Sequence, residues 1–156
     1  MPRDSALTSR MMAKIKNKDT KPEMMLRTVL HRMGVRYRLH CRNVYGRPDL
    51  AIAKYKLAIF VDGDLWHGNE HRVRGLDCIE ALFPTNTLFW SKKIRANMAR
   101  DSVVNARLAS EGWIVLRLWA SGIRVDPIGA ARRVVEHLQR LKTRGQLPRT
   151  DQEETT

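Results

Sequence analysis

Nowhere in the 156 residues is there an apolar run long enough to cross a bilayer, since a spanning helix needs about 20 consecutive apolar residues. That excludes a helical membrane protein. The start, Met1-Pro2-Arg3-Asp4-Ser5, lacks the apolar core of a secretion signal, which gives the expectation of a cytoplasmic chain without membrane contact. Cysteine is scarce: Cys41 and Cys78 stand alone, with no CxxC spacing. A disulfide scaffold is excluded, and two isolated thiols do not make a structural zinc site by themselves. Acid is under-represented, with 16 Asp and Glu against 29 Lys and Arg, a formal charge of +13. Such an excess points to a polyanionic partner, nucleic acid foremost. No internal repeat is visible, and the length suits a single core.

Three segments follow from the patterning. Residues 1–19 read as a basic arm whose Arg10, Lys14 and Lys16 suit phosphate contacts; residues 20–145 read as one folded domain, and residues 146–156 as a polar, disordered tail. Thr20-Lys21-Pro22-Glu23 has the form of a helix start, with Thr20 as N-cap and Glu23 three residues on. The helix carries Met24, Met25, Leu26, Val29, Leu30 and Met33 and stops at Gly34. A strand is expected over Val35 to Cys41, a turn at Asn43 to Gly46, and a second strand over Leu50 to Ala53 opened by Asp49. Lys54-Tyr55-Lys56 turns the chain into Leu57 to Val61, a short buried strand that ends in Asp62-Gly63-Asp64-Leu65-Trp66-His67-Gly68. The two strands form a hairpin whose register decides whether Asp49 and Asp62 share an end.

Residues 69–88 read as irregular. A long helix over about Leu88 to Ser110 follows, with Ile94, Met98, Asp101, Asn105 and Leu108 on its inward stripe. Trp113 to Trp119 is more apolar than alternating and reads as a strand that is central or covered on both faces. A last helix from Pro127 turns Ile128, Ala131, Val134, Val135, Leu138 and Leu141 inward, and Arg132, Arg133, Arg140 and Lys142 outward.

The pattern helix, strand, strand, strand, helix, strand, helix is that of a small α/β domain with carboxylates at strand ends and a basic exterior. Cutting a phosphodiester requires a clamp on the phosphate, an activated water and relief of charge on the leaving oxygen, and Mg²⁺ held by carboxylates meets much of this. Asp49, with Asp62 or Asp64 and a backbone carbonyl near Val61, offers the hard oxygen ligands such an ion prefers. His67 is able to take a proton from water near neutral pH, and Asp101 would fix its tautomer if it accepts the other ring N–H. Each has a plainer reading: a helix cap for Glu23, a satisfied structural histidine for His67, a buried ion pair for Asp101.

Motifs spread from about Ser9 to Ile123 carry a resemblance. They are Ser9-Arg10-Met11-Met12, Lys18-Asp19-Thr20-Lys21-Pro22-Glu23, Gly46-Arg47-Pro48-Asp49, Phe60-Val61-Asp62-Gly63 with Trp66-His67-Gly68, Phe89-Trp90 with Lys93-Ile94 and Asn97, Arg100-Asp101, and Gly112-Trp113 with Val115-Leu116 and Trp119. In this order and spacing the chain resembles the very short patch repair (Vsr) endonucleases, which have a restriction-endonuclease-like, PD-(D/E)xK-type fold: a mixed β-sheet flanked by helices. The resemblance implies a Mg²⁺-dependent, monomeric endonuclease that nicks duplex DNA at or near T:G mismatches in very short patch repair. It assigns Asp49 as the main Mg²⁺ ligand with the main chain of Val61, His67 as general base, Asp101 as the acid that orients it, Glu23 as an acid reaching metal-bound water, and Asp62 as a site residue that is His in some members. Leu65, Trp66 and Trp90 match the aromatics that wedge into the duplex, with leucine replacing an aromatic at 65. The family's structural zinc positions match Asp64, Asn69, His71 and Ser121, of which only His71 is a good ligand, so the expectation is that this zinc is absent. Two other readings stay open: a Vsr-like nuclease with another target, such as foreign or single-stranded DNA, and a catalytically silent DNA-binding module. No repair or methylation-system partner can be named from the residues.

Overall fold

A computed structural model describes residues 18–146. Helix α1 (Lys21–Arg32) starts where the Thr20 hydroxyl accepts from the Glu23 amide at 3.4 Å, with Pro22 in the first turn where no N–H is needed. It buries Leu26 and Leu30, while Met24 and, just past its end, Met33 are partly exposed. Gly34 ends it at φ +80.

Four strands follow: β1 (Arg38–Leu39), β2 (Leu50–Ile52), β3 (Leu57–Asp62) and β4 (Ile114–Trp119). They lie in the order β1-β2-β3-β4, with β1/β2 and β2/β3 antiparallel and β3/β4 parallel. The sheet is therefore mixed, and helices flank it, as the resemblance implies. The expected strand at Val35 to Cys41 shrinks to two residues. The Val35 amide is tied to Leu30 O in the helix cap, and His40 takes a left-handed φ of 45 that ends pairing.

Between the strands and the site lie α2 (Glu70–Val73), a single turn inside the segment expected to be irregular, and the long α3 (Thr87–Ser110). After β4 come α4 (Ala120–Val125) and α5 (Pro127–Gln146). One sheet face gathers Leu50, Ile52, Leu57, Ile59, Leu116 and Leu118 under α1, α4 and α5, which contribute Leu26, Leu30, Ile123, Ala131, Val134 and Leu138. Each buried leucine or isoleucine here contributes about 1.5–3 kcal/mol. The other face places Ala58 and Phe60 against Leu108 and Val104 of α3, with Trp113 and Val115.

Strand β4 is covered on both faces, as expected, yet among the described residues it forms an edge of the sheet rather than its centre. Ile128 is 49 % exposed rather than inward, because it lies in the first turn of α5, before the face made by Ala130, Ala131 and Val134 meets the sheet. Met98 is also half out, at 39 % exposed. Period-2 alternation along β3 sends Leu57 and Ile59 to one face and Ala58, Phe60 and Asp62 to the other, so Asp62 emerges toward α3. No helix among the described residues is long and apolar enough to cross a membrane.

Candidate active site

The β2/β3 register pairs Leu50 with Ile59, which puts Asp49 at the same end of the hairpin as Asp62. There the Val61 amide donates to Asp49 Oδ2 at 2.7 Å. In an extended strand the N–H and C=O of one residue point to the same side, so the Val61 carbonyl lies on the β2 side of β3, the side Asp49 occupies. Burial pushes the Asp49 carboxyl up to about 6, against the pull of the Val61 amide and with the Glu23 charge adding to the rise. A carboxyl held this far toward neutrality, beside a strand-end carbonyl, is an oxygen-donor site that a divalent cation fits, since a cation would restore the ionised form.

Beyond Asp62 the chain makes a tight turn, with His67 N donating to Gly63 O and Asn69 N to Asp64 O. The turn brings His67 back over the end of the sheet. The His67 Nδ1–H donates to Asp101 Oδ2 across 2.5 Å, and Nδ1 lies 3.8 Å from Asp62 Oδ1. Because the carboxylate only accepts, this contact puts the proton on Nδ1 and leaves Nε2 as the basic nitrogen. Burial opposes the imidazolium, but the Asp101 hydrogen bond and the charges of Asp62 and Asp101 outweigh it, so the His67 pKa lies above the ordinary value. Asp62 is itself raised by burial, against the pull of His67 and Arg117. Two features hold the turn to the helix beside it. Asn97 of α3 donates to Trp66 O at 3.2 Å, and Gly68, at φ +85, sits where any Cβ would overlap the Met98 sulfur.

A second group lies on the α1 side. His40 Nε2 is 3.2 Å from Glu23 Oε1 and 3.3 Å from Asp19 Oδ1, while Arg27 reaches Asp19 at 2.7 Å. Glu23 is 1 % exposed, and its Oε1 has no hydrogen-bond partner. Burial raises its pKa against the pull of His40 and Arg27. The two roles set against each other in the sequence are thus divided: the Glu23 amide takes the Thr20 cap, and the carboxylate turns into the protein. Asp19, Glu23 and His40 form one set of groups spaced to hold a metal ion, and Asp62, His67 and Asp101 another. Asp49 feels Glu23 and His40 of the first set and Asp62 of the second.

Trp66 and Trp90 come together, centroids 6.1 Å apart, with Phe83 stacked on Trp90 at 5.9 Å and Phe89 edge-on at 5.1 Å. Lys93 Nζ lies 6.0 Å from both indoles. Leu65 is half-buried beside them in sequence, whereas Leu88, 83 % exposed, and Phe89, 57 % exposed, project at the start of α3. Leu88 escapes sequence reading because nothing in a helix-start pattern says which apolar residue stays uncovered. A groove of about 700 Å³ lined by Arg42, Tyr45, Arg47, Arg100 and Val104 runs along the other part of α3. Arg10, Lys14 and Lys16 lie outside the described residues.

Of the four positions matched to a structural zinc, Asp64, Asn69 and Ser121 meet, but as a hydrogen-bonded knot. Asp64 Oδ1 accepts from Asn69 Nδ2 at 2.8 Å and from Ser121 Oγ at 2.6 Å, and Oδ2 accepts from the Ser121 amide at 2.9 Å. Burial would raise the Asp64 pKa, but these bonds override it and hold it below the usual value. Asparagine and serine supply N–H and O–H donors rather than thiolates, so the set does not fit zinc. The buried His71 Nδ1 alone is left without a hydrogen-bond partner there.

A mixed sheet whose strand ends gather an acid and an acid–histidine pair, on a strongly basic chain, suits a phosphodiester-cleaving class of protein. The profile described as DNA mismatch endonuclease Vsr matches residues 3–73. The chain is 43 % identical to the type II nicking enzyme V.HpaIIP of Haemophilus parainfluenzae, over 75 % of this chain and 79 % of that protein. It is 35 % identical to the type II nicking enzyme V.NaeI of Lentzea aerocolonigenes over 84 % of this chain and 78 % of that one. It is 34 % identical to the DNA mismatch endonuclease Vsr of Escherichia coli strain K12 over 78 % of this chain and 74 % of that one. The chain belongs to the Vsr family of DNA endonucleases, with their restriction-endonuclease-like fold. Its substrate is DNA, and it is an enzyme rather than a silent binding module.

Proposed function

We propose that the protein is a Mg²⁺-dependent endonuclease that nicks one strand of duplex DNA at or near a T:G mismatch, acting as a cytoplasmic monomer in very short patch repair. The observation that carries this reading is the His67–Asp101 pair standing at the strand end that also holds Asp49 and the Val61 carbonyl. Asp49 and that carbonyl would hold Mg²⁺, which would supply charge stabilisation for the cleaved phosphodiester. Water attacks phosphorus as His67 Nε2 takes its proton, and the bridging P–O bond breaks, its oxygen leaving with a proton from solvent; Asp101 keeps the imidazole in the required tautomer and steadies the imidazolium that forms. Glu23, whose Oε1 makes no hydrogen bond although His40 Nε2 lies 3.2 Å away, orients water from the α1 side.

Trp66 and Trp90 wedge into the duplex with Leu65, and the exposed Phe89 and Leu88 extend the apolar edge. The arm of residues 1–19, with Arg10, Lys14 and Lys16, grips phosphates, as do the arginines of the groove on α3. Leucine at 65 favours a second reading, a nuclease with a different target such as foreign or single-stranded DNA, because a leucine wedge fills space but stacks poorly on bases.

Strand-labelled oligonucleotides incubated with Mg²⁺ separate the two. The proposal expects a nick in one strand of the T:G duplex, at least about tenfold faster than in the matched duplex, a ratio that a single mismatch contact of 1.4 kcal/mol already gives. Equal cutting of both duplexes, or faster cutting of the single strand, would decide for the second reading.

A further inference from the structure

Arg117 is the one charged residue in β4, and it faces α3 across the sheet from the apolar core. The parallel register sets it beside Phe60, whose ring its guanidinium covers at 4.2 Å. Its Nη1 donates to Asp62 Oδ1 and Oδ2 at 3.0 and 3.1 Å and lies 3.5 Å from Asp101 Oδ1. Its Nε donates to Asn105 Oδ1 at 2.8 Å. The side chain is 18 % exposed. The oxygens of Asp101 are therefore divided, Oδ1 toward Arg117 and Oδ2 toward His67.

Without a cation between them, Asp62 and Asp101 would repel one another and both would compete for His67 Nδ1. A planar guanidinium fixes several directions at once: acids at Nη1, an amide at Nε, an aromatic face beneath. A lysine presents one mobile charge and cannot hold all three. We propose that Arg117 is a positioning residue for strand cleavage, anchored by Asn105 and Phe60, which holds Asp62 beyond hydrogen-bond reach of the imidazole and sets the Asp101 rotamer that orients His67. This rests on the catalytic roles of His67 and Asp101 proposed above.

The test compares native protein with Arg117→Met, Arg117→Lys and Asn105→Ala on the labelled T:G duplex, alongside Asp49→Ala and His67→Gln. The second readout is the low-field proton resonance of His67 Nδ1–H in cold, metal-free protein, assigned by its loss in His67→Gln. Arg117→Met is expected to lower kcat by about 10–100-fold with KM for DNA within about twofold, a loss confined to the chemical step, and to shift or broaden the resonance. Arg117→Lys should recover part of kcat by restoring the charge. Asn105→Ala, which leaves the ion pair intact and so keeps the question open should Arg117→Met not fold, should lower kcat several-fold and move the same resonance. Native kcat and an unmoved resonance in folded Arg117→Met or in Asn105→Ala would overturn the inference, while inactive Asp49→Ala and His67→Gln would leave the cleavage mechanism standing. Full activity of those two variants would instead overturn the mechanism itself.

Discussion

The Val61 amide and the Asp49 carboxylate meet at 2.7 Å, which joins the ends of two antiparallel strands into one site. The contact stabilises the ionised acid, yet burial keeps its pKa up at about 6. The metal-free protein thus holds a partly protonated carboxyl at the position proposed for the cation.

The consequence for stability has a definite sign. From the ordinary carboxylate value of 3.8 up to about 6, the folded chain keeps a proton on Asp49 that the unfolded chain has lost, so stability falls as pH rises through this window. Asp49→Asn removes the penalty, and the metal-free variant should exceed the native protein by about 1–2 kcal/mol at neutral pH and match it in acid. Mg²⁺ should raise the melting temperature of the native chain at neutral pH and leave Asp49→Asn unmoved. Denaturant titrations with and without Mg²⁺ check both.

Asp101 holds the His67 pKa above the usual imidazole value, and a general base works only when neutral. Cleavage should therefore rise with pH through a midpoint above that value. Asp101→Asn should lower kcat by about 10²–10⁴-fold and move the midpoint down. A pH–rate profile on the labelled duplex reads both effects.

Gly68 carries a φ of +85 with the Met98 sulfur against its α-carbon. Gly68→Ala should cost about 1–3 kcal/mol, because an L side chain is strained at this φ and must also push Met98 aside. Adding Met98→Ala should restore part of that loss but not all, as read by paired urea titrations.

The Asp64 hydrogen bonds tie the turn after β3 to the start of α4. Asp64→Ala should destabilise by about 2–3 kcal/mol, since it strands the Asn69 and Ser121 donors. The folded pKa of Asp64 is depressed, so its contribution is present above the ordinary carboxylate range and lost as pH falls through the folded value. A zinc chelator should leave the native melting temperature unchanged, whereas a zinc-stapled chain would melt earlier.

What could be read from the residues was local. The Thr20 cap, the Gly34 stop and the run from Leu57 into Asp62 each follow from neighbours in sequence, and the structure has all three. The Asp101 stripe position was legible because helical spacing put an acid among inward residues, although Met98 on that stripe lies half outside. Arg117 was not legible as part of the site. Its partners Asp62 and Asn105 lie 55 and 12 residues away; the parallel β3/β4 register brings the first beside it, and the packing of α3 on the sheet brings the second. His40 was hidden for a similar reason, since an expected strand residue gave no sign of the left-handed turn that aims its ring at Glu23. The edge position of β4 likewise depends on strand order, which an apolar run does not encode.

The most direct test of the central claim is the rate at which supercoiled plasmid opens in Mg²⁺ with the native chain, Asp49→Ala and His67→Ala, each shown to be folded by its melting curve. The native protein should nick, and each variant should be slower by at least about 100-fold, the typical contribution of a single acid–base group. Equal rates for all three would contradict the assignment of this strand end as the place where DNA is cut.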